Sequence, residues 1–399
     1  MVESLILDRR TELAGKAALH VILIGVSDYA HLPPADDMPG EGLAALKKLS
    51  SSSITVAAIA RKLQQLDAEQ RLARPLGTIR LLHSPAPEEL AKDPTLGTIG
   101  GAPAMRSEIS AALKAWRLDV AAWKDAQAFF YFCGHGIRRT LEESILLAAD
   151  FLDENEPQLF NSFRLSNIRN GMVPSPKFPN IGREQFYFVD ACREKADALD
   201  TLDTTDTPKI FDAELGSYDD RKAPIFFATT TGGLAAGPAL EPTYFGNALL
   251  WAMDNGSFDK RHIDGVTGNV WPVTPPSLKV GIETANALFD SRVELTGLVG
   301  EPVFCFRRDP PKVSVAITLR PDPLHEPVQA ITIKEMNTDT TQQIAPCANA
   351  GPYPIELTAG MYQIAVTPPS DKFARTRSEI VYISIQSRMP WMFDLGSAL

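Results

Sequence analysis

The chain has 399 residues, 44% apolar and 22% charged, values at which a sequence folds around a sizeable core. That length exceeds one ordinary domain and predicts two or three. A formal net charge of −10 argues against a general nucleic-acid or anionic-membrane surface and mildly favours basic ligands.

The four cysteines (Cys133, Cys192, Cys305 and Cys347) are scattered and form no C-x-x-C pair. This spacing predicts free thiols in a reducing compartment. The first ten residues lack the basic start and long apolar core of a signal peptide, and no apolar stretch is long enough to span a membrane. A cytoplasmic protein is the expectation.

In chain order, His20 to Val26 is the first buried strand, and Ser27-Asp28-Tyr29 breaks it. Residues 41 to 66 carry apolar positions at helical spacing (Leu43, Leu46, Leu49, then Val56, Ile59, Leu63, Leu66), which fits two helices or one kinked helix. Thr78 to Leu82 is a second strand, residues 84 to 103 read as a Pro- and Gly-rich loop, and Met105 to Trp123 reads as a helix. The run Ala128-Phe129-Phe130-Tyr131-Phe132 is a buried strand that leads into Cys133-Gly134-His135-Gly136. Ser144 to Asp150 is a strand or hairpin arm, and Leu165 to Met172 is a short helix. Phe186-Tyr187-Phe188-Val189 is another buried strand, and it runs into Asp190-Ala191-Cys192-Arg193.

Residues 195 to 222 change character: Asp197, Asp200, Asp203 and Asp206 repeat at threes among threonines, as in a surface loop. Ala223 to Thr229 is a further strand, Phe245 to Met253 and Leu278 to Leu288 are helices, and Glu301 to Phe306 reads as a last sheet strand. Strands alternate with helices up to about residue 290, which predicts an α/β fold: a mainly parallel sheet with helices on both faces.

Asp309-Pro310-Pro311 marks a boundary, so residues 1–308 and 309–399 are expected to be separate domains. Beyond it the apolar positions recur with period two (Val313, Val315, Ile317, Leu319; Tyr362, Ile364, Val366; Val381, Ile383, Ile385), predicting a small antiparallel β-sandwich. Leu357 to Ile364 resembles the x-G-x-Y-x-I strand of transthyretin-like sandwich modules.

The two aromatic strands carry the chemistry. Open α/β sheets bear their sites at the carboxyl ends of the strands. If these two strands are parallel neighbours, their ends bring His135 and Cys192 together, and a Cys/His pair is the minimum equipment for thiol nucleophilic catalysis. Packing inside the sheet is the expected role of Cys133. A zinc site from Cys133, His135 and Cys192 lacks a fourth ligand at normal spacing, so no metal is expected there.

The pair of motifs resembles the caspase-like cysteine peptidases (caspases, metacaspases and their bacterial relatives) over about residues 18 to 306. The separation from His135 to Cys192 is 57 residues (192 − 135), near the roughly 50 of caspases. The resemblance implies that Cys192 is the nucleophile and that His135 protonates the leaving amine and then activates water. Gly136 lets the chain approach the substrate closely, and the N–H groups of Gly136 and Cys192 form the candidate oxyanion hole, at about 3 kcal/mol per donor. A dyad suffices, with no third member.

Asp190 occupies the position where metacaspases carry an acid that selects Arg or Lys before the scissile bond, and Asp28 corresponds to the second acid of that pocket. Two carboxylates repel unless a cation joins them, and a guanidinium meets that need. Arg193-Glu194-Lys195 departs from the family's usual continuation after the cysteine. The acidic stretch stands where relatives carry an activation loop, and Lys195, Lys209, Arg221 and Lys222 are candidate autocleavage points. No cofactor is expected; calcium at the Asp run is the alternative, although Ca²⁺ takes about six to eight oxygens in one cage.

The leading expectation is a cysteine endopeptidase acting on a protein substrate, with an activating protein partner and a docking or regulatory role for the C-terminal module. Bacterial defence is suggested by analogy with relatives. The alternatives are a catalytically inactive caspase-like scaffold and another thiol hydrolase such as an acyl transferase.

Overall fold

The computed structural model describes residues 3–34, 37, 46–138, 144–191, 207–212, 218–228, 238–286, 293–320, 330–344, 352–367, 377–383 and 391–394. Cys192, Arg193, Lys195 and the Asp197–Asp206 run lie outside the described residues. The chain divides into two compact units, one of residues 1–251 with 285–305 and the other of 252–284 with 306–399.

The first unit is built from β1 (Leu5–Asp8), β2 (Leu19–Val26), α1 (Ser52–Ala68), β3 (Leu76–Ser84), α2 (Pro87–Lys92), α3 (Arg106–Val120) and β4 (Gln127–Gly134). A small sheet of β5 (Gly136–Arg138), β6 (Ser144–Leu147) and β7 (Ser162–Arg164) follows, then α4 (Leu165–Gly171), β8 (Glu184–Ala191) and β9 (Ala223–Phe227). Helix α5 (Tyr244–Asn255) starts in this unit; β10 (Arg261–His262), β11 (Asn269–Val273) and α6 (Pro275–Ala285) precede β12 (Glu294–Leu298). Among the described residues seven strands form one sheet in the order β1-β3-β2-β4-β8-β9-β12. Its five central strands are parallel, and β1 and β12 close the two edges antiparallel.

β2 and β4 are buried along their whole length, as continuous apolar runs require in a sheet covered on both faces. Side chains alternate between the faces. Ile22, Ile24, Phe130, Phe132, Tyr187 and Val189 share a core with α3 (Ile109, Leu113, Trp116) and α4 (Leu165, Ile168). The intervening Phe129 and Phe186 pack on Phe304, and Tyr131 stacks on Phe245 of α5. Each such side chain contributes roughly 1.5–3 kcal/mol on burial. Helix α1 covers this second face so closely that a Cβ at Gly25 would meet Val56 Cγ2 at 2.5 Å and Ser52 O at 2.7 Å.

Three local expectations differ from the structure. The helical spacing through Leu46 and Leu49 belongs to an irregular segment, pinned by Lys48 N–H donating to Pro33 O and Leu49 N–H to Ser27 O. The loop from 84 to 103 contains α2, where Pro87 supplies a preset first-turn φ and the Glu89 carboxylate accepts from Ala86 N–H. The edge of the large sheet is taken by Glu294–Leu298, while Glu301–Phe306 leads into β13 (Cys305–Arg307) outside that sheet.

In the second unit, β14 (Lys312–Arg320), β15 (Ala330–Glu335), β16 (Thr341–Ile344), β17 (Tyr353–Thr358), β18 (Gly360–Thr367), β19 (Arg377–Ile383) and β20 (Trp391–Asp394) form two sheets, β17-β14-β20 and β16-β15-β18-β19. Val313, Val315, Ile317 and Leu357 of the first sheet share a core with Ile331, Ile333, Ile364, Val366 and Val381 of the second. The period-two pattern thus produces a sandwich. Its strand pairs are antiparallel except β14 with β20, which run parallel.

Candidate active site

The carboxyl ends of β2, β4 and β8 are adjacent, with Gly25 beside Cys133 and Cys133 beside Asp190. One residue further on, Gly134 stands opposite Ala191. The residue after Gly134 is His135; the residue after Ala191 is Cys192, just beyond the described segment.

His135 is 9% exposed and held at three places. Its Nε2 lies 2.6 Å from Lys47 O. A carbonyl only accepts, so Nε2 carries the proton and Nδ1 is the basic nitrogen. Its main-chain N–H donates to the Tyr29 hydroxyl at 2.7 Å, and the two rings pack with centroids 4.9 Å apart. Burial pulls the imidazole below its ordinary pKa and so favours the neutral base, outweighing the bond to Lys47 O, which acts in the other direction. Gly134 permits this arrangement: a Cβ there would meet the Tyr29 hydroxyl at 2.8 Å.

Gly136 begins β5 opposite Leu146. Leu147 N–H donates to His135 O at 3.1 Å, so the neighbouring Gly136–Leu146 pair is of the non-hydrogen-bonded kind. The Gly136 N–H is therefore directed away from β6.

Asp190 is 2% exposed and lies on the α1/α5 face. Its Oδ2 accepts from Tyr131 Oη at 2.8 Å, from Cys133 Sγ at 3.5 Å and from Thr243 Oγ1. Burial raises its pKa against these three neutral donors, and no cation pairs with it among the described residues. Cys133 is accordingly a packed thiol whose pKa is pushed well up by burial and then by the Asp190 charge. Asp28 lies just past β2; its N–H donates to Ser84 O, and its Oδ1 forms an ion pair with Lys48 Nζ at 2.7 Å. The two acids thus stand at the same sheet edge with separate partner sets.

A buried scaffold fixes the loops that carry these groups. Ser27 Oγ accepts from the N–H groups of Ser52 and Ser53 at the start of α1. The fully buried Glu89 carboxylate accepts from Ser53, Ile54 and Ala86 N–H. Burial lifts Glu89 to a pKa of about 7.

Two contributors escaped the sequence reading, Tyr29 and the main-chain carbonyl of Lys47. A carbonyl leaves no mark in a sequence, and Tyr29 shows there only as the residue that follows a broken strand. Among the described residues no group of three or more His, Cys, Asp or Glu side chains is placed to hold a metal, and no helix is long and apolar enough to cross a membrane.

The parallel-centred sheet sets a histidine turn beside the end of a strand whose next residue in sequence is a cysteine. The model of the peptidase C14 caspase domain matches residues 20–268, more than half of the chain, and the chain belongs to that family. It is 29% identical over 212 residues to the uncharacterized protein y4kE of Sinorhizobium fredii (strain NBRC 101917 / NGR234), covering 52% of this chain and 56% of that one. The chain thus spans about half the length of the curated relative it matches. The crystal structure of caspase-1 from Spodoptera frugiperda aligns over 75% of this chain and 97% of its own, with a TM-score of 0.43 and 13% identity.

Proposed function

We propose that this chain is a cysteine endopeptidase that cleaves proteins after Arg or Lys through a Cys192/His135 dyad. His135 Nδ1 takes the thiol proton, and the Cys192 thiolate attacks the scissile carbonyl carbon. The resulting oxyanion accepts from the N–H groups of Gly136 and Cys192. Collapse expels the amine, which leaves with the proton from Nδ1. Nδ1 then deprotonates a water that hydrolyses the thioester, and the thiol is regenerated.

The observation that carries this reading is the Gly134–Ala191 register, which puts the residues before His135 and before Cys192 side by side, with the imidazole already oriented by Lys47 O. The Lys47 carbonyl acts as an orienting third group, so the dyad of the sequence reading gains a main-chain member. An inactive scaffold would have no use for a neutral histidine held so that its Nδ1 is the base.

The basic preference rests on Asp190 and Asp28. Asp190 is a desolvated carboxylate with neutral donors only, and a substrate guanidinium would supply its missing charge.

Activation by cleavage in the 195–222 stretch belongs to the same proposal, and its candidate positions differ in accessibility. The Arg221 guanidinium is buried and donates to Asp219, Arg169 O and Gln185, and Lys222 is tied by main-chain bonds to Arg183 and Gln185, so both are poor cleavage points. Lys209 sits in a docked segment: Asn167 Oδ1 accepts from Ile210 and Phe211 N–H, and Arg117 covers the buried Phe211 ring at 4.2 Å. Lys195 lies outside the described residues. The C-terminal sandwich is proposed as a docking or regulatory module that an activating protein partner would use.

The test is a peptide-library cleavage screen on the full chain, with Cys192→Ala as control and mass spectrometry of the active protein. Cleavage after Arg and Lys that vanishes in the variant supports the reading. Cleavage that persists in Cys192→Ala, or no cleavage by any preparation, refutes it. An intact chain throughout the active preparation would refute autocleavage alone.

A further inference from the structure

We propose that Lys48 is an internal competitor for the basic side chain of the substrate: its ammonium holds Asp28 in the free enzyme and is displaced when a substrate Arg or Lys reaches that carboxylate. This rests on the reading of Asp28 as a substrate-binding acid.

The geometry separates a fixed backbone from a movable side chain. Hydrogen bonds to its main chain pin the Lys47–Leu49 segment at three points: Lys47 O accepts from His135 Nε2 at 2.6 Å, Lys48 N–H donates to Pro33 O at 2.9 Å, and Leu49 N–H donates to Ser27 O at 2.8 Å. The Lys48 side chain alone reaches across, to Asp28 Oδ1 at 2.7 Å. Its flexible four-carbon stem lets the ammonium leave by rotation, with no change in the backbone that orients His135.

The strength of the pair also fits displacement. Lys48 and Asp28 side chains are 30% and 38% exposed, and Asp28 Oδ1, though itself screened from water, accepts no hydrogen bond among the described residues, so the pair is a charge contact without the directional bond that would anchor it. The two acids of the proposed pocket therefore differ. Asp190 is buried without a cation, whereas Asp28 already has one tethered to the chain. A planar guanidinium, which can bond a carboxylate with two parallel N–H groups, outcompetes a single ammonium at the same oxygens. Lys48 thus sets a threshold for cations at Asp28: it yields to a well-placed arginine and less readily to a lysine, and it does not bear on neutral side chains.

The experiment is steady-state kinetics of the full chain on fluorogenic peptides ending in Arg, Lys, Gln or Asp before the scissile bond. Lys48→Met keeps the apolar stem and removes the charge. It is expected to lower KM for Arg and Lys peptides by about two- to fivefold, with the change in KM and not in kcat, and to leave the Gln peptide where it was. Lys48→Arg keeps the cation and, as the stronger competitor for Asp28, is expected to hold KM for the Arg peptide at or above the wild-type value. In an Asp28→Asn background the effect of Lys48→Met disappears. A KM for the Arg peptide that is unchanged or raised in Lys48→Met, while Asp28→Asn raises it, overturns the competitor and leaves Asp28 as a binding acid. If Asp28→Asn itself leaves that KM unchanged, the Asp28 reading fails and the competitor falls with it. If the Asp peptide is the preferred substrate and Lys48→Met abolishes its cleavage, Lys48 reads the substrate directly and the proposal is overturned.

Discussion

Gly134 and Ala191 face each other across the parallel β4–β8 pair. Neighbouring strands run about 4.8 Å apart, and one trans peptide advances the chain by about 3.8 Å. The proposed base is one residue beyond the first of these positions, and the proposed nucleophile is one residue beyond the second. The relationship depends on main-chain pairing between two strands that are buried where they approach the site, so it does not rest on any surface side chain.

Tyr29 should matter through its hydroxyl. Tyr29→Phe leaves the buried His135 N–H without its acceptor while keeping the ring contact. The expected loss is about 1–3 kcal/mol, shared between stability and barrier, so kcat on an Arg peptide should fall about tenfold. Thermal unfolding measured beside the kinetics apportions the two. Wild-type kcat together with wild-type stability would contradict the account of how the histidine turn is held.

Asp190 should make substrate binding depend on pH. Its pKa is raised by burial, so as pH falls through that raised value the carboxylate is neutralised and KM for an Arg peptide climbs. Asp190→Asn should raise KM about tenfold or more at neutral pH and flatten its acid limb. Stability moves the other way. A carboxyl whose folded pKa is raised contributes most below its ordinary range and loses that contribution as pH rises, so Asp190→Asn should melt no lower than wild type at pH 8. A variant with unchanged KM and unchanged pH profile would remove Asp190 from the substrate pocket.

Glu89 carries a similar signature without touching the site. Its folded pKa of about 7 exceeds the usual 4.5 for a glutamate. Its favourable contribution is therefore complete below about 4.5 and is lost as pH rises through about 7. Melting temperature should decline over that window, and Glu89→Gln should reduce the slope. Glu89→Ala strands the Ile54 and Ala86 donors, leaves Ser53 N–H with Ser27 Oγ alone, and should cost about 1–3 kcal/mol at every pH. Denaturant titrations at pH 5 and pH 8 give both comparisons; equal slopes in wild type and Glu89→Gln would count against the assignment.

The docking of Phe211 should govern access to Lys209. A Cβ at Gly171 would lie 2.1 Å from Phe211 Cδ2, so Gly171→Ala must push the ring out. Overpacking of this kind costs about 1–3 kcal/mol. Trypsin cleavage after Lys209 should then speed up about tenfold in the variant while thermal unfolding of the remainder changes little. Equal cleavage rates would show that the segment is open already.

The two aromatic strands were legible because an apolar run between polar punctuation has few homes other than a sheet covered on both faces. Their order and pairing put His135 where the sequence suggested, and the period-two pattern after Pro311 announced the sandwich. What was hidden is hidden for physical reasons. Lys47 contributes through a main-chain carbonyl, which every residue possesses. Leu46 and Leu49 have helical spacing but pack as an irregular strap in which Lys48 N–H donates to Pro33 O and Leu49 N–H to Ser27 O. Lys48 belongs to no motif in the sequence, and only the fold brings it to Asp28. The edge strand Glu294–Leu298 contains a glycine, and pairing with β9 outweighs its weak pattern.

The central claim is that Cys192 is the nucleophile and His135 its base. The most direct measurement is labelling of the full chain with an arginyl chloromethylketone, followed by peptide mapping, in wild type, His135→Ala and Cys192→Ala. The account predicts one adduct on Cys192, formed far more slowly in His135→Ala and absent in Cys192→Ala. Labelling on another residue, or at the same rate without His135, would contradict it.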